Sequence, residues 1–187
     1  MIDFEDTLDA LIEDFGKSYA DHGLPMLRGR IVGLLLSANR PLSLDEIAER
    51  LEVSKGPVSM NCRQLEEMGY ARRKWVKNDR RDYYQLTDDF FIRNSIRFYT
   101  LHKDSYRTAE KYLKILIKKY RRATPEEKEE LLPFCQRLYE MWRFYERVLE
   151  FYRRFIDEWP AYLSGLPTFE EYLASTNGKK EEIPVSS

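Results

Sequence analysis

Ser54-Lys55-Gly56-Pro57-Val58-Ser59-Met60-Asn61-Cys62-Arg63-Gln64-Leu65-Glu66-Glu67-Met68-Gly69 runs, after Tyr70, into two short segments of different period, Ala71–Val76 and Asp82–Thr87. In the first stretch Val58, Cys62, Leu65 and Met68 recur at helical spacing and form one apolar stripe. Ser54 is a good N-cap, Pro57 falls in the first turn where a missing N–H costs little, and Gly69 suits the end. Beyond Gly69 the pattern turns strand-like, and the polar turn Lys77-Asn78-Asp79-Arg80-Arg81 separates two strand candidates. Upstream, Ser43 and Glu46 form a Ser-x-x-Glu capping box for a helix over 44–51 that buries Leu44, Ile47, Ala48 and Leu51. A mostly apolar helix over 26–38 precedes it, broken by Asn39-Arg40-Pro41. Helix, turn, helix and basic hairpin, in that order, predict a winged helix-turn-helix.

Working outward, residues 3–20 place Phe4, Leu8, Leu11, Ile12, Phe15 and Tyr19 on one helical face, and Asp21-His22-Gly23-Leu24-Pro25 stops that helix. On the other side, residues 88–122 contain neither Pro nor Gly, and a helix of that length spans roughly 50 Å. Thr124-Pro125-Glu126-Glu127 caps a second long helix, expected to end before Trp159-Pro160, with Pro133 marking a kink or a late start. Ile92, Tyr99, Tyr106, Leu113 and Tyr120 are seven apart. In the partner helix, Cys135, Trp142, Leu149 and Ile156 alternate with Leu138, Tyr145, Tyr152 and Trp159 as an a/d seam. Phe144, Val148, Phe151 and Phe155 widen that face beyond what one neighbour covers. Lys103 and Glu110 interrupt the first seam, as a buried pair, a register device or the lining of a wet pocket.

The economical way to cover such helices is a second copy related by a two-fold axis. The expected fold is therefore mainly α with a small β-hairpin wing: a winged helix-turn-helix plus long dimerisation helices. Residues 1–25 are expected to form a helix packing on the dimerisation region, 26–87 the winged DNA-binding domain, 88–173 the helical dimerisation region, and 174–187 a flexible tail.

Composition narrows the function. The 31 basic and 32 acidic residues leave a net charge of −1, which at face value argues against a nucleic-acid partner. The charge is unevenly spread. Residues 1–25 carry −6, 26–52 are neutral, 53–87 carry +4, 88–122 carry +6 and 123–187 carry −5. A basic middle flanked by acidic ends makes a local electrostatic surface. The longest apolar run, Ile31–Leu36, is far short of the ~20 residues of a membrane span, so no membrane partner is expected. The acidic start is the wrong charge for a secretory signal. Cys62 and Cys135 form neither a CxxC pair nor a disulfide framework, which fits a reducing cytoplasm. His22 and His102 are too scattered for a metal site. No phosphate-binding glycine loop or nucleophile–base pair is present, so neither a cofactor nor an enzyme is expected.

On the helix over 54–69, Gly56, Ser59, Met60 and Arg63 project away from the apolar stripe, with Ser54 and Lys55 at its N-terminal end. Small or polar residues with two cations suit a helix entering a major groove. Read singly, Lys55 and Arg63 are equally well solvated residues on an exposed face. The hairpin tips the balance, because residues 71–81 carry six bases and one acid. Arg72, Lys74, Lys77, Arg80 and Arg81 are candidate DNA contacts, with Arg80 or Arg81 entering a narrow minor groove. Asp79 is placed to orient one of them. A solubilising turn is the plainer alternative.

Four segments together resemble the GbsR-type branch of the MarR family of transcriptional regulators. They are Leu24-Pro25 with Gly29–Leu36, Pro41–Glu49, Val53-Ser54-Lys55-Gly56, and Asp79-Arg80-Arg81-Asp82-Tyr83-Tyr84. The motif match covers 24–87, and the helix layout extends it to about 160. The resemblance implies a winged-helix homodimer on a pseudo-palindromic operator of double-stranded DNA, often as a repressor. Its Asp-x-Arg wing motif maps onto Asp79 and Arg81, which implies Arg81 as the minor-groove arginine. Pro57 departs from the small polar residue more usual there. The branch includes choline responders, and Tyr99, Tyr106, Trp142 and Tyr145, with Tyr152 and Trp159, are the raw material of an aromatic cage for a cationic effector. Packing in the seam accounts for the same residues. The competing class is a winged helix that binds protein without reading DNA.

Overall fold

The computed structural model describes residues 3–176. Along them the chain forms α1 (Phe4–Asp21), α2 (Met26–Ser37), β1 (Leu42–Ser43), α3 (Leu44–Arg50), α4 (Lys55–Glu67), β2 (Ala71–Val76), β3 (Asp79–Leu86), α5 (Phe90–Arg122), α6 (Pro125–Ser164) and α7 (Phe169–Thr176). Two compact units divide this chain, one up to Asn94 and one from Ser95 onward.

The first unit has one core. Ile31, Val32, Ile47, Leu51, Val58, Cys62, Leu65 and Tyr84 are its most deeply buried side chains. α2 is buried almost all round because α1 covers one side and α4 the other. The apolar face of α1 packs on α2, with Ile12 inside the core of the first unit. Glycines explain why α1 and α2 lie so close. A Cβ on Gly29 would land on the backbone carbonyl of Phe15, and one on Gly33 would sit 3.0 Å from Ile12 Cα. Neither obstacle is a flexible side chain that can step aside. Gly29→Ala is therefore expected to destabilise the protein by about 1–3 kcal/mol, as overpacking does. Urea unfolding should show a lower midpoint with an unchanged m-value.

α3 begins as its capping box predicts, with Ser43 Oγ accepting from Glu46 N and the Glu46 carboxylate accepting from Ser43 N at 2.7 Å. α4 ends in a Schellman motif: Tyr70 N donates to Leu65 O at 2.8 Å and Gly69 N to Glu66 O at 2.9 Å. This requires a left-handed residue between them, and Gly69 has φ +74°. Ser54 takes the N-cap position, but its hydroxyl makes no capping bond.

The sheet differs from expectation in two ways. β3 begins at Asp79 rather than Asp82, because Val76 pairs with Asp79 and the turn shrinks to Lys77-Asn78. Asn78 carries the positive φ of 66°, which asparagine tolerates better than most residues. A register irregularity between Lys74 and Val76 absorbs the difference. A third strand, β1, pairs Leu42 with Tyr84 and Ser43 with Tyr83, giving the order β1-β3-β2.

In the second unit the long helices run as a heptad pair, with three corrections. α6 continues through Pro160 to Ser164 instead of stopping before Trp159, and it starts at Pro125 with Pro133 inside it. In α5, His102 turns toward the rings of α6 and Ala109 is fully buried. Lys103 and Glu110, one residue further on, stand outside the seam. Lys103 Nζ lies over the Tyr99 ring and Glu110 pairs with Lys114 at 3.0 Å, so they form no buried pair. The predicted tail begins later than residue 174, since α7 is helical through Thr176; residues 177–187 lie outside the described residues.

Among the described residues from Ser95 onward, only Ala109 and Leu138 are buried apolar side chains. Phe144, Phe151, Tyr162 and Phe169 are among many large ones left exposed. A helical unit with so little interior has not satisfied its own apolar surface.

Candidate nucleic-acid interface

α4 presents its outer face as its periodicity requires. Val58, Cys62 and Leu65 are buried, while Ser54, Lys55, Gly56, Met60 and Arg63 are exposed and Ser59 is half-buried. No atom lies within 4 Å of a Cβ built on Gly56, so the first turn offers bare backbone. Burial pushes the Cys62 thiol up to about 12, which keeps it a protonated core side chain rather than a nucleophile. Lys55 is tied to Asp45 of α3 by an ion pair of 2.7 Å. Arg63 forms no ion pair among the described residues.

Behind this face lies a feature the sequence reading missed. Arg28 of α2 is only 7% exposed, and its Nη2 donates to Gln64 Oε1 of α4. Its Nε is buried without a partner. Asn61 is also buried, with Nδ2 donating to Pro57 O at 2.9 Å. These polar side chains fall outside the apolar stripe, so periodicity gives no signal for them.

The wing brings its cations together unequally. Arg72 bonds Asp88 at 3.0 Å and Arg73 pairs with Asp82 at 2.5 Å. Lys74, Lys77 and Arg80 carry no ion pair among the described residues. Trp75, which the sequence reading left unassigned, is 79% exposed on β2. Alternation along the strand, which puts it on the face of Arg73, could have found it.

Asp79 and Arg81 form a clasp. Arg81 Nε donates to Asp79 Oδ2 at 2.9 Å and Nη2 to the same oxygen at 2.6 Å, while Arg81 N donates to Oδ1 at 2.9 Å. The Arg81 guanidinium holds the Asp79 carboxyl well below the usual carboxylate range, helped by that backbone N–H. The carboxylate in turn raises the already high pKa of Arg81. Tyr83, unassigned from sequence, closes the arrangement through its hydroxyl.

The base of the wing is joined to the α3 cap through the Ser43–Tyr83 pairing. Arg40 pairs with Glu46 at 2.7 Å and, with the Ser43 donors, brings that carboxyl down from 4.5 to about 2. A depressed carboxylate contributes stability that is complete above its unfolded pKa and is lost as pH falls through its folded one. Glu46→Gln is expected to lower stability at neutral pH and to remove part of the loss between pH 4.5 and 2. Thermal unfolding followed across that range measures it.

The four aromatic candidates are not gathered around one space. Tyr106 and Trp142 lie with ring centroids 6.2 Å apart, Tyr145 packs on His102 at 5.5 Å, and Tyr99 lies under Lys103. A hollow of about 250 Å³ in the first unit lies elsewhere, lined by Leu35, Arg40, Gln85, Asp88 and Phe91 among others. Among the described residues no group of His, Cys, Asp and Glu could hold a metal, and no helix is long and apolar enough to cross a membrane.

Residues 22–82, from the end of α1 to the early part of β3, match the model of the MarR family. That segment is similar to the winged helix of the MarR family. The chain is 25% identical over 155 residues to the HTH-type transcriptional repressor OpcR of Bacillus subtilis, covering 76% of this chain and 82% of that protein. It is 25% identical over 160 residues to the putative HTH-type transcriptional regulator YvaV of the same organism, covering 79% and 88%. A crystal structure of a transcriptional regulator superposes with a TM-score of 0.66 at 24% identity, covering 83% of this chain and 99% of that one. The shared fold thus extends beyond the matched segment into the long helices.

Proposed function

We propose that this chain is a MarR-type, sequence-specific transcriptional regulator that binds a pseudo-palindromic operator as a homodimer, with repression as its mode. The observation that carries DNA binding is the coincidence of two surfaces on one compact unit: the small, exposed start of α4 and a cationic wing whose Arg81 is held by Asp79. α4 enters the major groove with Ser54, Lys55, Gly56, Ser59, Met60 and Arg63 facing the bases and phosphates. Arg72, Lys74, Lys77 and Arg80 follow the backbone and Arg81 takes the minor groove. Likeness to the transcriptional repressor OpcR supports the repressor reading. Selection of binding sites from a random duplex pool tests it. The expected product is a two-fold motif with half-sites about one helical turn apart. An enriched pool with no motif would instead support a winged helix that binds protein.

The homodimer rests on the second unit, whose long helices leave large apolar side chains uncovered. A cationic effector held by Tyr99, Tyr106, Trp142 and Tyr145 has less behind it, because two of these rings pack on each other and a third on His102. That arrangement supports packing as their role.

A further inference from the structure

The wing clasp has three members. Tyr83 Oη donates to Asp79 Oδ2 at 2.8 Å and accepts from Arg81 Nη2 at 2.7 Å. Unlike the other two, Tyr83 is buried, and its backbone pairs with Ser43 of β1. Ser43 is fully buried and caps α3, with its N–H and Oγ both on Glu46. The hydroxyl of Tyr83 is therefore fixed to the interior of the winged unit, whereas Asp79 sits beside the hairpin turn. Asp79 alone could swing with that turn and carry Arg81 along. Nε and Nη2 of Arg81 are occupied by the clasp, and Nη1 makes no hydrogen bond among the described residues.

We propose that Tyr83 is a positioning residue for the wing arginine: its hydroxyl, anchored through β1, aims the outward edge of Arg81 and so sets how much the wing adds to operator affinity. The inference rests on the DNA-binding reading. A guanidinium already held in its binding orientation loses less freedom on association than one that must be ordered by the DNA. The Arg81 guanidinium also lies over the Tyr83 ring, 5.4 Å from its centroid; Tyr83→Phe keeps that ring contact and removes only the hydroxyl.

Tyr83→Phe is expected to weaken operator binding by about threefold to tenfold, the scale of one ordinary net hydrogen bond, with the salt slope unchanged because no charge is lost. In an Arg81→Ala background the same change should have no further effect, which a merely structural role would not produce. The Arg81 Nε–H resonance of the free protein, assigned by its disappearance in Arg81→Ala, should shift or broaden in Tyr83→Phe while the amides of α4 stay in place. Wild-type affinity in Tyr83→Phe, or an equal loss with and without Arg81, would overturn the proposal. An unchanged Nε–H signal would do so whatever the DNA result. If the wild-type protein bound no duplex while Nε–H still depended on Tyr83, the DNA reading would fall, and the clasp would remain a purely structural contact.

Discussion

Phe144→Asp combined with Phe151→Asp is expected to convert the protein from a dimer to a monomer and to reduce operator affinity by about a hundredfold or more. The two residues are seven apart on α6, 60% and 66% exposed, on the face that the heptad seam leaves over. Covering a phenylalanine side chain contributes about 1.5–3 kcal/mol, and a two-fold interface uses each residue twice. Placing a carboxylate there removes that contribution and adds desolvation of a charge. The effect on DNA follows from linkage of two half-sites. A dimer engages its second half-site at high effective concentration, and a monomer loses that gain of about 10²–10⁴. Light scattering at micromolar concentration gives the mass, and the far-ultraviolet spectrum should stay helical because α5 and α6 still pair through their inward rings. A wild-type protein that is already monomeric at that concentration would overturn the homodimer.

Arg81→Ala is expected to weaken operator binding at least about tenfold and to lower the salt slope by about one. Two results together identify the wing arginine. A loss of affinity without a change in slope would mean that Arg81 acts on the fold rather than on the DNA. Arg81→Lys should restore the slope but not the affinity, since an ammonium cannot span the Asp79 carboxylate and the Tyr83 hydroxyl as the guanidinium fork does. The unit should remain folded in both variants, because Arg81 lies on the exposed side of the hairpin and outside the core.

Much of this site could be read before any coordinates. The stripe of Val58, Cys62 and Leu65 places Gly56, Met60 and Arg63 outward by helical geometry alone, and Ser43 with Glu46 is a local capping signal. Asp79 and Arg81 are two residues apart, within reach of one another in any extended conformation. Other features carried no local signal. A strand of two residues has no period, so β1 was invisible, and with it the support behind Tyr83. Arg28 and Gln64 are thirty-six positions apart and meet only when α2 and α4 pack. In α5 the heptad reading takes a +4 step after each Tyr, which puts Lys103 and Glu110 in the seam. The three-residue step, to His102 and Ala109, places those side chains inward and leaves Lys103 and Glu110 outside.

The near-neutral net charge illustrates the same division. Charge along the chain already separates a basic middle from acidic ends. Folding then sorts the basic residues. Arg72 and Arg73 are matched by Asp88 and Asp82, Lys55 by Asp45 and Arg81 by Asp79, while Arg63, Lys74, Lys77 and Arg80 have no ion-pair partner among the described residues. Periodicity, capping and turn chemistry act between neighbours in the chain, so helix order, the hairpin and the wing motif were written there. The pairing of Ser43 with Tyr83, the burial of Arg28 and the placement of α1 on α2 depend on contacts between distant segments, and packing decided them.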